Sequence, residues 1–501
     1  MSGVSRHHDR ISMESRNHTQ GRLKRDHCLL KVVVVGAGIG GLACAIACRR
    51  ANPPLAVTVV ERAPEILTIG AGIHIPPNAC RIVTHLGLLE ELKQAKAYSV
   101  EGFTLRRYKD GNVIVEKPMG ERMEREYGAE WLAIHRGDYQ NVLLEAARKN
   151  GAKIITNGEV TGIEQGTGED LGKQIVLMKD GNRMMADIVV GADGLWSGIR
   201  EYVLGRPMPP VETGDLAYRG TFTREQLKGF RNEKIDKLIE ASNVQVWLGS
   251  GRHAVFYPLR DKTEYNLVLL CADNLPEGVR ASQGSLEEMA ANFEGWDPTL
   301  NTIISCLKSA LKWKLLHFKE LDQWTKVCFR KLVRKRPQLT PDNQGPVALL
   351  GDASHPTLPY QGQGAAMAVE DGAILGLLLS RLQNSGISPV AEERSAQLTD
   401  LLHLYEDLRK KRTEVNVAGA VHTRHFYHLA DGDEQLKRDQ ELAGLPASGW
   451  QGACSFNWGD AAYQKNLLGF DVLADADKNF DDWLCRGSTS RWKVTRPTGM
   501  L

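Results

Sequence analysis

Residues 31–42 read Lys31-Val32-Val33-Val34-Val35-Gly36-Ala37-Gly38-Ile39-Gly40-Gly41-Leu42. A stretch rich in small residues then runs to Arg50, followed by Asn52-Pro53-Pro54 and Val57-Thr58-Val59-Val60-Glu61. Val32–Val35 reads as a strand buried on both faces. The glycines match G-x-G-x-x-G, Leu42 to Arg50 reads as a helix ended by the prolines, and Val57–Val60 is a second strand. Gly36 permits the tight turn, Gly38 lets backbone approach a pyrophosphate, and Gly41 lets helix and strand pack closely. The helix N-terminus offers unpaired N–H groups and partial positive charge to phosphates. Glu61 stands about 20 residues beyond Gly41, where a carboxylate accepts from a ribose hydroxyl. Strand, glycines, helix, strand and acid in this order indicate a dinucleotide site. The motif leaves FAD and NAD open, whereas Glu61 would repel the 2′-phosphate of NADP.

Around this unit the 501 residues suffice for two or three cores. A hydrophobic content of 42%, a charged content of 25% and a net charge of +2 are ordinary for a globular chain and call for no nucleic-acid partner. Nine cysteines occur without a C-x-x-C pair or metal-ligand spacing, so reduced thiols and no metal site are expected. The polar first 30 residues lack the apolar core of a signal peptide and read as a disordered tail. No stretch reaches the roughly 18 apolar residues of a membrane span. Thr498-Gly499-Met500-Leu501 is not a peroxisomal tripeptide. A cytoplasmic location is the resulting expectation.

Further along, Ile69-Gly70-Ala71-Gly72-Ile73-His74-Ile75-Pro76-Pro77-Asn78-Ala79 specifies a loop that brings backbone close to a ligand. Ala79 to Lys96 has helical period, and Val100–Tyr108 with Val113–Glu116 flanks a hairpin turn at Lys109-Asp110-Gly111-Asn112. Leu132–His135 reads as a strand, with Arg136 at its end and Asp138 capping a helix Tyr139–Lys149. Lys153–Thr156, Val160–Glu164 and Ile175–Lys179 read as a meander. It leads into Ile188-Val189-Val190-Gly191-Ala192-Asp193-Gly194, a strand ending beside an acid. Residues 210–320 suit a mostly antiparallel sheet. Val347–Leu350 is a buried strand ending at Gly351-Asp352, and a second glycine-rich loop feeds a helix Ala365–Leu382, implying a second anion or carbonyl site.

Three motifs thus stand in order: GAGIGG from Gly36, GADG from Gly191, and GDASHPTLPYQGQGAAMAVEDG from Gly351. Together they resemble the FAD-dependent aromatic hydroxylases, single-component flavoprotein monooxygenases, and within them the fungal salicylate hydroxylase-like enzymes. The resemblance spans about residues 31–430. No second G-x-G-x-x-G occurs, so a separate NAD(P)H domain is not expected. The implied fold is α/β and p-hydroxybenzoate hydroxylase-like: a discontinuous Rossmann-like FAD-binding domain (31–98, 121–209, 340–430) with an antiparallel β-sheet substrate domain (99–120, 210–339). Residues 431–501 form a C-terminal extension, read either as a cover or as a homodimer contact.

By position, the resemblance implies that Glu61 holds the adenosine ribose and that His74 meets FAD through its backbone. It places Arg136 on the ribityl–pyrophosphate side and Asp352 on a ribitol hydroxyl. Asp193 is the acid linked to FAD and transient NAD(P)H, and Ala365 opens a helix facing the flavin's pyrimidine edge. Arg219 in Tyr218-Arg219-Gly220 and Tyr257 in Tyr257-Pro258 match active-site residues of related fungal hydroxylases. The implied activity is hydroxylation of an aromatic or electron-rich small molecule with NAD(P)H and O₂ through a flavin C4a-hydroperoxide, in secondary metabolism or aromatic catabolism. A flavin oxidase or dehydrogenase, or a non-catalytic flavin-binding relative, is the alternative. One departure is a basic run, Lys326, Arg330, Lys331, Arg334, Lys335 and Arg336, ahead of the late strand. Residues 327–345 read as a solvated loop, with a nuclear-localisation-like patch and a translated intron as the other readings.

Overall fold

The computed structural model describes residues 29–66, 71–326, 345–445, 454–457 and 459–489, with backbone alone at 330–333, 336–339 and 487–489. Most of the expected N-terminal tail, Ile69, Gly70, Trp450, Trp458 and Trp492 lie outside the described residues. So does most of the basic insert, of which a backbone hairpin pairs Arg330–Val333 with Arg336–Leu339.

Lys31–Val35 sits near the middle of a six-stranded sheet, with Ala56–Val60 and Lys153–Ile155 on one side. Ile188–Gly191, Val347–Leu349 and Thr325–Lys326 follow on the other. The pairings are parallel except at the Thr325–Lys326 edge. The valines are buried on both faces, as a parallel strand between helices requires. The helix Ile39–Arg50 packs on the long helix Gly364–Gly386, and Gly372 and Gly376 let the two backbones touch.

Eight strands form a second sheet: Ala281–Gln283, Leu311–His317, Val211–Thr223, Glu264–Ala272, Arg252–Leu259, Asn243–Gly249, Gly102–Arg107 and Val113–Pro118. Every pair is antiparallel but one, Asn243–Gly249 with Gly102–Arg107. The expected hairpin therefore joins this sheet. One sheet face carries an aromatic core with Trp247, Phe256 and Tyr265. The other, with Tyr257, Ala217 and Leu270, turns toward the glycine-rich motifs.

Several local expectations are corrected. The helical run after Ala79 is two helices, Pro77–His85 and Leu89–Gln94, because Gly87 adopts φ +67°, a left-handed turn that an α-helix cannot include. Asp138 does not cap its helix. The helix begins at Arg136, His135 Nδ1 accepts from the Gly137 N–H at 3.2 Å, and Asp138 pairs with Arg260 at 2.9 Å. The meander is divided: Lys153–Ile155 extends the parallel sheet, and Val160–Gln165, Gln174–Met178 and Arg183–Ala186 make their own antiparallel sheet. Part of the expected 69–79 loop is a strand, Gly72–Ile75, paired with Leu132–His135.

The C-terminal residues fold back as the helices Asp433–Ala443, Ala461–Gly469 and Val472–Thr489. Phe456, Leu467 and Leu468 enter the core on the motif-facing side of the large sheet, and Val472, Ala476 and Phe480 enter the parallel-sheet core. The described part of this segment thus packs onto both cores of its own chain. Among the described residues no helix is long and apolar enough to cross a membrane.

Candidate active site

The glycine loop is built as its sequence requires. Gly36 has φ +108°, and a Cβ there would stand 2.3 Å from the Ala192 carbonyl oxygen. A Cβ on Gly41 would stand 2.2 Å from the Gly36 carbonyl oxygen, so strand turn and helix are in backbone contact. Around Gly38 the space is different: a Cβ would meet nothing within 4 Å. This is the open face a pyrophosphate would take. Glu61 turns toward the loop, accepting from the Ala37 N–H at 2.9 Å and the Ala63 N–H at 3.0 Å.

Gly38 to Gly41 line one end of a cavity of about 390 Å³. Arg136, Asp352 and Ala365 line it as well, brought from three separate chain segments. Asp352 is exposed on the turn Gly351–Ala353. Ala365 is the second residue of its helix, which starts at Gly364. Neither this helix nor Ile39–Arg50 has a side-chain cap, so their first-turn N–H groups are left for a ligand. Asp193 faces inward instead: its carboxylate accepts from the Ser197 hydroxyl at 2.6 Å and the Ile199 N–H at 3.2 Å, and burial raises its pKa.

The far end of the cavity is the large sheet. Arg219 and Tyr257 both line it. Burial pulls the Arg219 guanidinium below its ordinary value; the neighbouring Tyr257 opposes that and the like charge of Arg136 adds to it. Among the described residues no carboxylate pairs with Arg219. Tyr257 is 4% exposed, and burial raises its phenol. His74 bridges the two ends: its ring lies 4.5 Å from that of Tyr257, and its Nδ1 accepts from Trp131 Nε1 at 3.2 Å. Burial pushes the His74 imidazole down to about 4.

Two groups were missed by sequence reasoning. His253 lines the cavity, and its Nδ1 is 2.8 Å from Nε2 of the half-buried His428. Behind the Gly351 turn, Asp371 accepts from Arg409 Nε at 2.7 Å, His355 Nε2 at 2.6 Å and the Gly351 N–H at 2.8 Å. Glu370 beside it meets Arg409, Arg412 and Asn78. Burial alone would raise both carboxyls, but the cations outweigh it and hold each at about 2. The sequence signal for the second group was Glu370-Asp371 at the end of the late motif. For the histidine pair there was none.

The residues fit FAD. A clear approach at Gly38, two uncapped helix starts and an exposed acid share a cavity that continues to a half-buried arginine and a buried tyrosine. The model of the FAD binding domain family matches residues 30–295. The chain is 34% identical over 453 residues to the FAD-dependent monooxygenase OpS4 of Beauveria bassiana, covering 89% of this chain and 96% of that one. It is 32% identical over 411 residues to the 3-hydroxybenzoate 6-hydroxylase of Polaromonas naphthalenivorans, covering 82% and 91%. A salicylate hydroxylase in substrate complex shares the fold with a TM-score of 0.68 at 22% identity, over 90% of this chain and 98% of that one. The chain belongs to the FAD-dependent monooxygenases of the aromatic hydroxylase type.

Proposed function

We propose that the enzyme hydroxylates a phenolic aromatic small molecule, with NAD(P)H as electron donor and O₂ as co-substrate. The observation that supports this most is Arg219, which pairs with no carboxylate among the described residues, beside Tyr257 on the sheet wall of the cavity that the cofactor motifs also line. Glu61, Arg136 and Asp352 are proposed to hold FAD along the glycine loop and the Gly351 turn. Bound there, FAD would supply the redox chemistry, with NAD(P)H as the reductant, one oxygen atom of O₂ passing to the ring and the other leaving as water.

The chain's own residues prepare the substrate. A guanidinium beside a phenol favours the phenolate, and a phenolate ring is the more electron-rich partner for an electrophilic oxygen. The Tyr257 hydroxyl fixes ring orientation by hydrogen bonding. The phenolic proton must leave the cavity through groups that are neutral at working pH. Burial lowers His253 well below its ordinary value and His428 to about 4, so both are neutral near pH 7. His253 lines the cavity and its Nδ1 lies 2.8 Å from Nε2 of the half-buried His428, so the pair offers the displaced proton a path out of the cavity. The apolar wall of Val244, Val246, Val255 and Val268 excludes water from the ring.

The test is NAD(P)H oxidation by FAD-loaded protein across a panel of phenols and their methyl ethers. Stimulation by phenols and not by the ethers, with hydroxylated product, supports the reading. Oxidation indifferent to every aromatic added would contradict it.

A further inference from the structure

The C-terminal cover reaches the wall of the cavity through Tyr463. On the helix Ala461–Gly469, its hydroxyl accepts from Gln361 Nε2 at 2.8 Å and lies 3.1 Å from Gln361 Oε1. Gln361 is 1% exposed, lines the cavity and also donates to Thr423 Oγ1 at 3.3 Å. The approach runs over Gly419, where a Cβ would stand 1.9 Å from the Tyr463 hydroxyl oxygen. The helix Ala391–Tyr427 thus leaves a notch at Gly419 that Tyr463 fills.

The register of the covering helix is fixed without this contact. Arg412 donates to the carbonyls of Asn466 at 2.8 Å and Leu467 at 3.0 Å. Arg81 donates to those of Leu468 at 2.8 Å and Phe470 at 2.7 Å. Asp460 caps the helix through the Tyr463 N–H at 2.7 Å. Held this way, Tyr463 brings a rigid hydroxyl to a turn that has no regular secondary structure beyond Pro359–Gln361. Gln361 lies three residues before Gly364, where the uncapped helix start faces the cavity.

We infer that Tyr463 is a positioning residue for the cofactor wall. By clasping Gln361 it fixes the turn Pro359–Gln361, and with that turn the N–H groups at the start of Gly364–Gly386. The inference rests on the FAD reading of that helix start. It makes the C-terminal segment part of the active site, where a plain cover would contribute only stability.

The full-length protein and its Tyr463→Phe variant separate these roles, because the ring still fills the notch. FAD affinity is measured by quenching of flavin fluorescence, the bound flavin by visible circular dichroism, and the apoproteins by thermal melting. Loss of one neutral hydrogen bond should weaken FAD binding roughly three- to ten-fold. The flavin dichroism should change and apoprotein melting should not. In a Gln361→Leu background Tyr463→Phe should have no further effect on FAD affinity, since both changes remove the Tyr463–Gln361 contact, and the other partner of the hydroxyl, Asn457, does not line the cavity. Unchanged FAD affinity, a loss matched by lower apoprotein melting, or additive effects in the double variant would each overturn the inference. Wild-type protein that binds no FAD would overturn the FAD reading together with it.

Discussion

The backbone N–H of Gly351 donates to Oδ2 of Asp371 at 2.8 Å, tying the turn that carries Asp352 to the long helix that follows it. Asp371 is fully buried and Asp352 is exposed to the cavity. Of these two acids of the late motif, Asp371 therefore shapes the turn, and Asp352 is exposed where a ligand would meet it. Asp352→Ala should remove a charge-assisted hydrogen bond to FAD of about 1.5–3 kcal/mol, weakening binding roughly ten-fold or more. Titration of the apoprotein with FAD checks this; unchanged affinity would remove Asp352 from the site.

Arg409 is fully buried between Asp371 and Glu370. Arg409→Met should cost about 3–5 kcal/mol of stability, because it takes from two buried carboxylates the cation they share and leaves Asp371 with His355 and Glu370 with Arg412. Urea unfolding of the apoprotein measures the loss, and a change below about 1 kcal/mol would mean that the network adds little beyond packing.

Arg219→Lys keeps a charge and loses the planar fork, and Tyr257→Phe keeps the ring and loses the hydroxyl. Both variants should retain FAD, form little hydroxylated product, and divert NAD(P)H consumption to hydrogen peroxide. Product yields at the wild-type level from both would place the substrate site elsewhere on the sheet.

Acid should destabilise the protein in two windows. His74 and His428 have folded pKa values of about 4, below the ordinary 6.5, so the unfolded chain binds more protons between these values. Stability should therefore fall as pH drops from 6.5 toward 4, by about 1.4 kcal/mol per pH unit for each histidine. The contribution of Glu370 and Asp371, held at about 2, is present above their unfolded values and is lost as pH falls through 2. Melting temperatures from pH 7 to pH 4 check the first window; His428→Gln should flatten the slope.

The dinucleotide unit was legible because its signals are local. Strand, glycines, helix and acid lie within Lys31 to Glu61, where Gly36 and Gly41 answer to backbone contacts and Gly38 to open space. The same holds for the Gly351 turn and the strand before it. Asp138 was misread because its partner, Arg260, is 122 residues away and outcompetes a local cap. The His253–His428 pair spans 175 residues and follows no motif, so only the fold brings it together. The C-terminal segment was ambiguous for a related reason: its apolar residues signal burial, but not what they bury against.

One oxygen atom of O₂ should enter an aromatic ring held between Arg219 and the cofactor wall. The most direct measurement is mass spectrometry of the product formed by the FAD-loaded enzyme with NAD(P)H and ¹⁸O₂, on the phenol that best stimulates turnover. One labelled oxygen atom is expected on the ring, lost together with coupling in Arg219→Lys. Unlabelled product, or hydrogen peroxide as the sole fate of the oxygen, would contradict it.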